Sequence, residues 1–416
     1  MGLHDRLNIL RREAGNGPAA PGQDSARAVA EDAAVRTDDG PEALRARLER
    51  MGVTGTGRGG SPRRARSQTV SAAQLAQRLG GEQVDEHLIC VDRLEPAQRR
   101  HGRHSLALVA DAARPFWEPD ARVGFLDTET TGLAGGAGSV AFLVGLATRE
   151  AEGVRLRQWI MTAFAGEGAL LAAVDAALDA CEHLVSYNGK TFDLPLLRDR
   201  RRMQRRPDAC EPAHTDFLHP VRSLYGHAWP DCRLRTVEER LLGLVRQDDL
   251  PGSEAPWAWK TYLTCGRSEA LEWVLRHNSD DILSLVLLGP VLARTLAHPV
   301  AYHASVEGAA RLLQRLEGAE AARSVLEAGS SELSPAGRLW LAREWRREHR
   351  YDRALPIWEE LAEDGSEEAL EALAKYHEHQ RRDWRQALHY AERLAPGAQA
   401  DARRHRLRAR CGSRLP

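Results

Sequence analysis

The sequence predicts a mixed α/β sheet domain followed by an all-α region. Three observations predict it. Short apolar runs come first and then alternate with helical patterns, the signature of a mixed sheet with covering helices. Beyond about residue 296 only helical patterns remain, and they repeat at 33 residues. The 416 residues are 43% apolar and 28% charged, enough for two or three domains with sizeable cores. Lys plus Arg number 58 and Asp plus Glu 59, a formal charge of −1. That balance excludes a wholly basic nucleic-acid coat or a wholly acidic tail protein, but not a local basic groove.

Taken in order, residues 1–75 are expected to be largely disordered. GNGPAAPGQD and GVTGTGRGGSPRRARSQ are rich in Gly, Pro, Ser and Arg and bury little. EALRARLERM between them allows a short helix, and SAAQLAQRLGGE reads as a helix with a serine cap at Ser71 and a glycine stop. HLICVDRL and SLALVADA read as strands, as do 123–129, 140–148 and 154–164. Residues 168–181 form an amphipathic helix, 184–188 a short strand, and 191–203 a helix for which Thr191 can serve as cap. The segment 268–292 is a long helix. Ala309, Leu312, Ala321 and Val325 recur as Ala342, Trp345, Ala354 and Trp358, and a looser third copy holds Leu373, Ala374, Ala387 and Tyr390. Small residues at fixed points with a large one nearby fit stacked helix pairs and resemble tetratricopeptide repeats; a plain helical bundle is the alternative.

No apolar run reaches the roughly 18–20 residues of a membrane helix. The N-terminus lacks a secretory core, and none of the six cysteines forms a CxxC pair. A cytoplasmic location and no membrane partner are therefore expected.

Three segments carry candidate chemistry. In VGFLDTETTGL, strand alternation places Asp127 and Glu129 on one face. Adjacent carboxylates repel, and a divalent cation with hard oxygen ligands, Mg²⁺ or Mn²⁺, relieves them. An ordinary strand end running into a polar turn also explains the pair. In LVSYNGKTFDLPLLRDR, Asp193 falls in a helix's first turn, where dipole stabilisation alone also explains an acid. In the helix over 268–292, His277 and Asp281 are four apart and share a face, with Asp280 close by. A solvated polar stripe is the alternative there.

Together these segments resemble the DEDD superfamily of 3′–5′ exonucleases, which share a ribonuclease H-like fold. Asp127 and Glu129 match the first motif; Asn188, Phe192 and Asp193 the second; His277 and Asp281 the third. FLDTETTGL, YNGKTFDLPLL and HNSDDILSL are most similar to the bacterial YprB-type family, whose members similarly carry tetratricopeptide-like repeats after the nuclease domain. CRLRTVEERLLGL, then Leu250-Pro251-Gly252, adds to that similarity. The resemblance implies an exonuclease domain over 76–298, then helical repeats over 299–416 with a basic tail. His277-x₃-Asp281 takes its residue from the branch with histidine and its spacing from the branch with tyrosine.

The resemblance further implies hydrolysis of phosphodiester bonds with two divalent cations held by Asp127, Glu129, Asp193 and Asp281. His277 would orient or deprotonate a water, its ordinary pKa near 6.5 suiting a base. Asn188, Thr130 and Phe192 would bind the terminal nucleotide of a single-stranded 3′ end; for Asn188, a plain turn residue before Gly189 is the alternative. Arg198, Arg200, Arg201, Arg202, Arg205 and Arg206 are candidate phosphate contacts, with a solvated helix end as the commoner role. A protein partner is expected along the repeats. Two competing readings are an inactive ribonuclease H-like scaffold that binds nucleic acid or protein through its repeats, and an endonuclease of the RNase H or integrase kind.

Overall fold

In the computed structural model, residues 71–110, 113–132, 138–207, 212–247, 249–250 and 252–412 are described. The disorder and the short helix expected within residues 1–70 lie outside them. Helix α1 (Ala72–Leu79) starts as its sequence predicts: Gln74 N–H donates to the Ser71 hydroxyl at 3.2 Å, and Ser71 N–H to the Gln74 side chain at 3.0 Å. Gly80 ends it with φ at 70°. Leu75, Ala76 and Leu79 are buried.

Seven strands form one mixed sheet in the order β1-β2-β7-β6-β5-β8-β9: β1 (Glu82–Asp85), β2 (Leu88–Pro96), β5 (Val123–Thr130), β6 (Ala141–Glu150), β7 (Gly153–Met161), β8 (His183–Ser186) and β9 (Ala213–Asp216). Pairing from β1 through β5 is antiparallel; β5 with β8, and β8 with β9, is parallel. β3 (Arg100–His101) and β4 (His104–Ser105) make a separate small ribbon. The strand expected at SLALVADA is absent among its described residues. Ser105 ends β4, and Leu106–Ala110 coil into a 3₁₀ turn that buries Leu106 and packs Leu108 and Val109 partly against the core, with Leu106 and Val109 sharing a face at the 3₁₀ spacing of three.

One face of the sheet is covered by α2 (Glu167–Leu178) with α6 (Ala255–Cys265), the other by α4 (Leu218–Tyr225). Helix α3 (Asp193–Met203) follows β8, and α5 (Leu234–Val237) leads into a π turn at Glu238–Leu242. Helix α7 (Glu269–Ala297) belongs to both faces. Leu271, Val274 and Leu275 pack with the α2 side, whereas Ile282 to Leu296 pack with the other core. It crosses β6 at Gly145, where a Cβ would stand 2.2 Å from Asn278 Oδ1 and 2.3 Å from Ile282 Cδ1. Only glycine lets the helix lie that close to the sheet.

Beyond α7 come α8 (Val306–Leu316), α9 (Ala319–Ala328), α10 (Pro335–Arg347), α11 (Tyr351–Glu363), α12 (Glu367–Tyr376), α13 (Trp384–Arg393) and α14 (Ala398–Gly412). They pack as successive pairs, α8 on α9, α10 on α11 and α12 on α13. Of the recurring small residues, Ala309, Ala342, Ala354, Ala374 and Ala387 are buried, and Ala321 is partly buried. The basic C-terminal segment folds as α14, with Arg403 and Arg406 paired to the buried Glu378 and Arg410 over the Trp384 ring at 4.5 Å.

Candidate active site

Parallel pairing decides where the site lies. Phe125 of β5 is in register with Val185 of β8, so the chain leaves β8 beside the carboxyl end of β5. That end bears Asp127 and Glu129, and the crevice beyond the carboxyl ends of parallel strands is where α/β sheets place ligands. The turn after β8 is held by Asp216 of β9: its carboxylate accepts from Asn188 N–H at 2.7 Å, Lys190 N–H at 3.0 Å and Leu218 N–H at 3.0 Å. Asn188 has φ at 63°, a left-handed turn conformation that asparagine tolerates. A Cβ on Gly189 would meet Ser186 Oγ at 2.3 Å and Asp193 Oδ2 at 3.1 Å, so glycine keeps the turn tight against the site.

Asp193 is the first residue of α3, and its Oδ1 accepts from Thr128 Oγ1. The predicted Thr191 cap does not form. Phe192 stands at the cap position and provides no side-chain cap, because α3 starts two residues later than expected. Asp127 Oδ2 accepts from Asn278 Nδ2 at 2.8 Å, and Asn278 is itself fixed by Gln158 Nε2 at 2.8 Å. Glu129 is 7% exposed. His277 places Nε2 3.9 Å from Glu129 Oε1 and 3.7 Å from Asp281 Oδ2. The structure thus brings Asp127, Glu129, Asp193, His277 and Asp281 to one end of the sheet. Asp280 turns away and lies 3.9 Å from Arg276.

The other expected residues divide. Phe192 is 37% exposed, an open aromatic surface next to Asp193. Thr130 donates to Gly132 O at 2.9 Å and so braces the following loop. Of the six candidate arginines, Arg198, Arg200, Arg201 and Arg202 lie within α3, and Arg205 and Arg206 just beyond it. Arg200 pairs with Glu167, Arg201 and Arg206 with Asp175, and Arg202 with Asp199. Arg200, Arg201 and Arg206 tie α3 to α2.

A set of residues absent from the sequence reading completes the site. Asp249 Oδ1 accepts from His277 Nδ1 at 2.9 Å. Arg246 reaches Asp281 and Glu238 with Nη2, and its Nη1 is 3.5 Å from Asp249 Oδ2 and 3.2 Å from His277 Nδ1. One ring nitrogen cannot both donate to Asp249 and accept from Arg246. The carboxylate requires a donor, so the Arg246 approach is one of proximity. Glu238 is fully buried and accepts from Ser284 Oγ, which lies 2.8 Å from His101 Nε2.

The electrostatics record crowding. Burial, then Asp281, Asp193 and Glu129, hold the Asp127 carboxyl well above the usual carboxylate range. Burial pushes Glu129 up to about 8 despite the opposing pull of His277. Burial raises Asp193 to about 6, against the Thr128 hydrogen bond. Burial opposes the charge on His277, but Asp281, the Asp249 hydrogen bond and Glu129 together outweigh it and push its pKa up to about 10.

These carboxylates form a hard-oxygen donor set whose repulsion a divalent cation would relieve, so the residues present suit Mg²⁺ or Mn²⁺. Their side chains are not closed into a cage: among the described residues no group of three or more His, Cys, Asp or Glu is arranged to hold an ion.

Comparison with known proteins defines the class first. Residues 124–293 match the RNase H superfamily family model, which spans β5 to α7 and contains all the carboxylates above. The chain is 30% identical over 333 residues, 74% of its length, to the uncharacterized protein YprB of Bacillus subtilis (strain 168), and covers 80% of that protein. It belongs to the YprB family. A solved structure, the family B DNA polymerase of the hyperthermophilic archaeon Pyrobaculum calidifontis, is 14% identical with a TM-score of 0.36. That match covers 66% of this chain and 35% of the polymerase, so the chain spans about a third of the polymerase's length.

Proposed function

We propose that the chain is a divalent-metal-dependent 3′–5′ exonuclease of the DEDD type, removing nucleotides from a single-stranded 3′ end. The observation that supports this most is the convergence of Asp127, Glu129, Asp193 and Asp281 from three distant segments, with His277 beside them. Burying such carboxylates together is costly unless cations or substrate repay it. Two bound ions would supply an activated water and a counter-charge for the leaving 3′-oxygen.

The chain's own residues do the rest. Asn278 and Thr128 orient Asp127 and Asp193. Asp249 holds the proton on His277 Nδ1 and so presents Nε2 to the centre, where it orients the water or exchanges a proton with it. A bound cation would remove much of the negative charge that keeps His277 protonated. Phe192 would stack on the terminal base. Thr130 and Asn188 shape the walls of the crevice.

On this reading residues 76–298 are the nuclease unit and 299–416 tetratricopeptide-like repeats that dock a protein partner, the whole acting in the cytoplasm. One observation favours a second reading, an inactive scaffold: Arg246 already pairs with Asp281. A digestion panel of end-labelled RNA and DNA with Mg²⁺ or Mn²⁺ separates these two readings and the endonuclease alternative. The nuclease reading expects mononucleotide ladders, the endonuclease reading internal cuts, and the scaffold reading intact strands.

A further inference from the structure

The nuclease reading leaves one buried charge unused. Arg246 lies in the irregular stretch between the π turn at Glu238–Leu242 and the 3₁₀ turn at Gly252–Glu254. Its side chain is 6% exposed, and it meets three carboxylates: Glu238 of the π turn, Asp281 of α7 and Asp249 of its own stretch. Glu238 alone would neutralise it. Glu238 is also anchored on its far side by Ser284, which in turn meets His101, so the Glu238–Arg246 pair is a fixed support rather than an adaptable one. Arg246 Nε finds no acceptor among the described residues, so the guanidinium is held through its two terminal nitrogens. Those are the nitrogens facing Asp281, Asp249 and His277.

We infer that Arg246 is a built-in counter-cation of the acidic centre, sharing Asp281 with a divalent ion and keeping the His277–Asp249 pair in place. The inference rests on the nuclease reading and names a positioning residue for it. Arg246 takes Asp281 Oδ1, and Oδ2 stays turned towards His277. A guanidinium is always charged and spreads its N–H groups in a rigid planar fork, so Nη2 holds Glu238 and Asp281 while Nη1 faces Asp249; an ammonium's three N–H groups radiate from one rotating point and cannot keep that spread. Two consequences oppose each other. The fixed positive charge repels an incoming cation and weakens its binding. The same fork sets the orientation of Asp281 and, through Asp249, of the imidazole, and so raises turnover. A merely structural salt bridge predicts no such opposition, because its loss weakens binding and turnover together.

The test uses the full-length chain with Arg246→Ala and Arg246→Lys. Mn²⁺ affinity is read by calorimetry, and kcat and KM on an end-labelled oligonucleotide. Removing a positive charge beside the ion is expected to tighten Mn²⁺ binding about tenfold in Arg246→Ala, while kcat falls about 10–100-fold, the usual effect of losing a residue that orients metal ligands. KM should stay nearly constant, and added guanidinium should restore part of the lost kcat. Arg246→Lys keeps the charge but not the fork, so its Mn²⁺ affinity should match wild type while kcat stays reduced. Should the alanine variant fail to fold, the lysine variant still reads the fork's part, a reduced kcat at unchanged Mn²⁺ affinity, and Arg246→Gln reads the charge's part, a tighter Mn²⁺ affinity. Weaker Mn²⁺ binding in Arg246→Ala, or a lysine variant equal to wild type in kcat, overturns the inference. A wild-type chain that binds Mn²⁺ and cleaves, with Arg246→Ala identical to it, overturns this inference alone. A wild-type chain that binds no Mn²⁺ and cleaves nothing overturns the nuclease reading with it.

Discussion

Glu129 and Asp127 are held where a carboxylate is poorly tolerated, and each has a consequence for stability as well as chemistry. Asp127→Asn removes one of the mutually repelling charges while keeping an oxygen for Asn278. It should abolish hydrolysis, yet raise the melting temperature of the metal-free protein at pH 8 by roughly 2–4 °C. Calorimetry and an activity assay on one preparation check both; a variant that is both inactive and less stable would place Asp127 in the fold rather than the chemistry. The pH dependence has a definite sign. Glu129, raised to about 8, and His277, raised to about 10, both bind more protons folded than unfolded above neutrality. Stability therefore falls as pH rises. Groups acting the other way do so at lower pH: Asp249, whose pKa is depressed by the His277 hydrogen bond against its burial, and His101, which burial and Arg246 lower to about 4. The metal-free melting temperature should thus drop between pH 7 and 9.5, and Mn²⁺ should flatten that slope by binding the folded form. A flat metal-free profile over that window would contradict the crowded site. At this scale the shared faces of Asp127 with Glu129 and of His277 with Asp281 were legible from periodic elements, whereas their grouping with Asp193 rested on the family resemblance. Asp249, Arg246 and Glu238 were not legible. The first two lie in irregular chain with no period to place them, and Glu238 looks like one more acid in a helical run. Asp216 was missed because a four-residue strand ending in Asp reads as a turn.

Among the elements, β5 and α7 do most of the positioning, and Gly145 decides how near they come. Gly145→Val would drive a side chain into Asn278 and Ile282. Overpacking of this kind costs about 1–3 kcal/mol, and it would separate Asn278 from Asp127. The expected result is a lower melting temperature with hydrolysis reduced far more than stability. Guanidinium-chloride unfolding alongside the digestion assay measures the two losses separately, and activity at wild-type level would show that the crossing is not needed for the site. Both elements were readable in advance, β5 as an apolar strand with two acids and α7 as a long helical pattern. Their crossing was not, because a glycine in an apolar strand carries no mark of the helix it accommodates. The failed strand at SLALVADA has a similar cause: an apolar run alone does not reveal whether a neighbouring strand edge is open to receive it. The arginines after Asp193 were visible as a cluster, but their partners Glu167 and Asp175 lie on another helix about thirty residues away.

For the molecule as a whole, the division near residue 300 is a boundary of sequence pattern more than of packing. One buried cluster runs from Phe125 and Val185 in the sheet through Ile282–Leu296 to Ala309, Trp345 and Leu373 in the helix pairs. Ser305 N–H donates to Leu224 O at 2.8 Å, and Gly308 approaches so closely that a Cβ would stand 2.0 Å from Ser223 O. A chain ended near residue 300 would uncover Val221, Leu224, Leu292 and Leu296. It should therefore bind a hydrophobic dye and melt below the full-length protein, even though all the proposed ligands precede the cut. Equal melting temperatures would show that the helix pairs do not support the sheet domain. The helix pairs were legible from small residues recurring at a fixed spacing; the joint was not, since Gly308 and Ser305 read only as a helix start. On the proposed function, four carboxylates on this sheet end cut nucleic acid from its 3′ terminus with divalent metal. Digestion of a 5′-labelled single strand, as RNA and as DNA, by the full-length protein with Mn²⁺, beside Asp127→Asn and excess chelator, tests this. The expected products shorten by one nucleotide at a time from the 3′ end, and none form in the variant or with chelator. Internal cuts, cleavage that survives chelation, or intact strands of both kinds would contradict it.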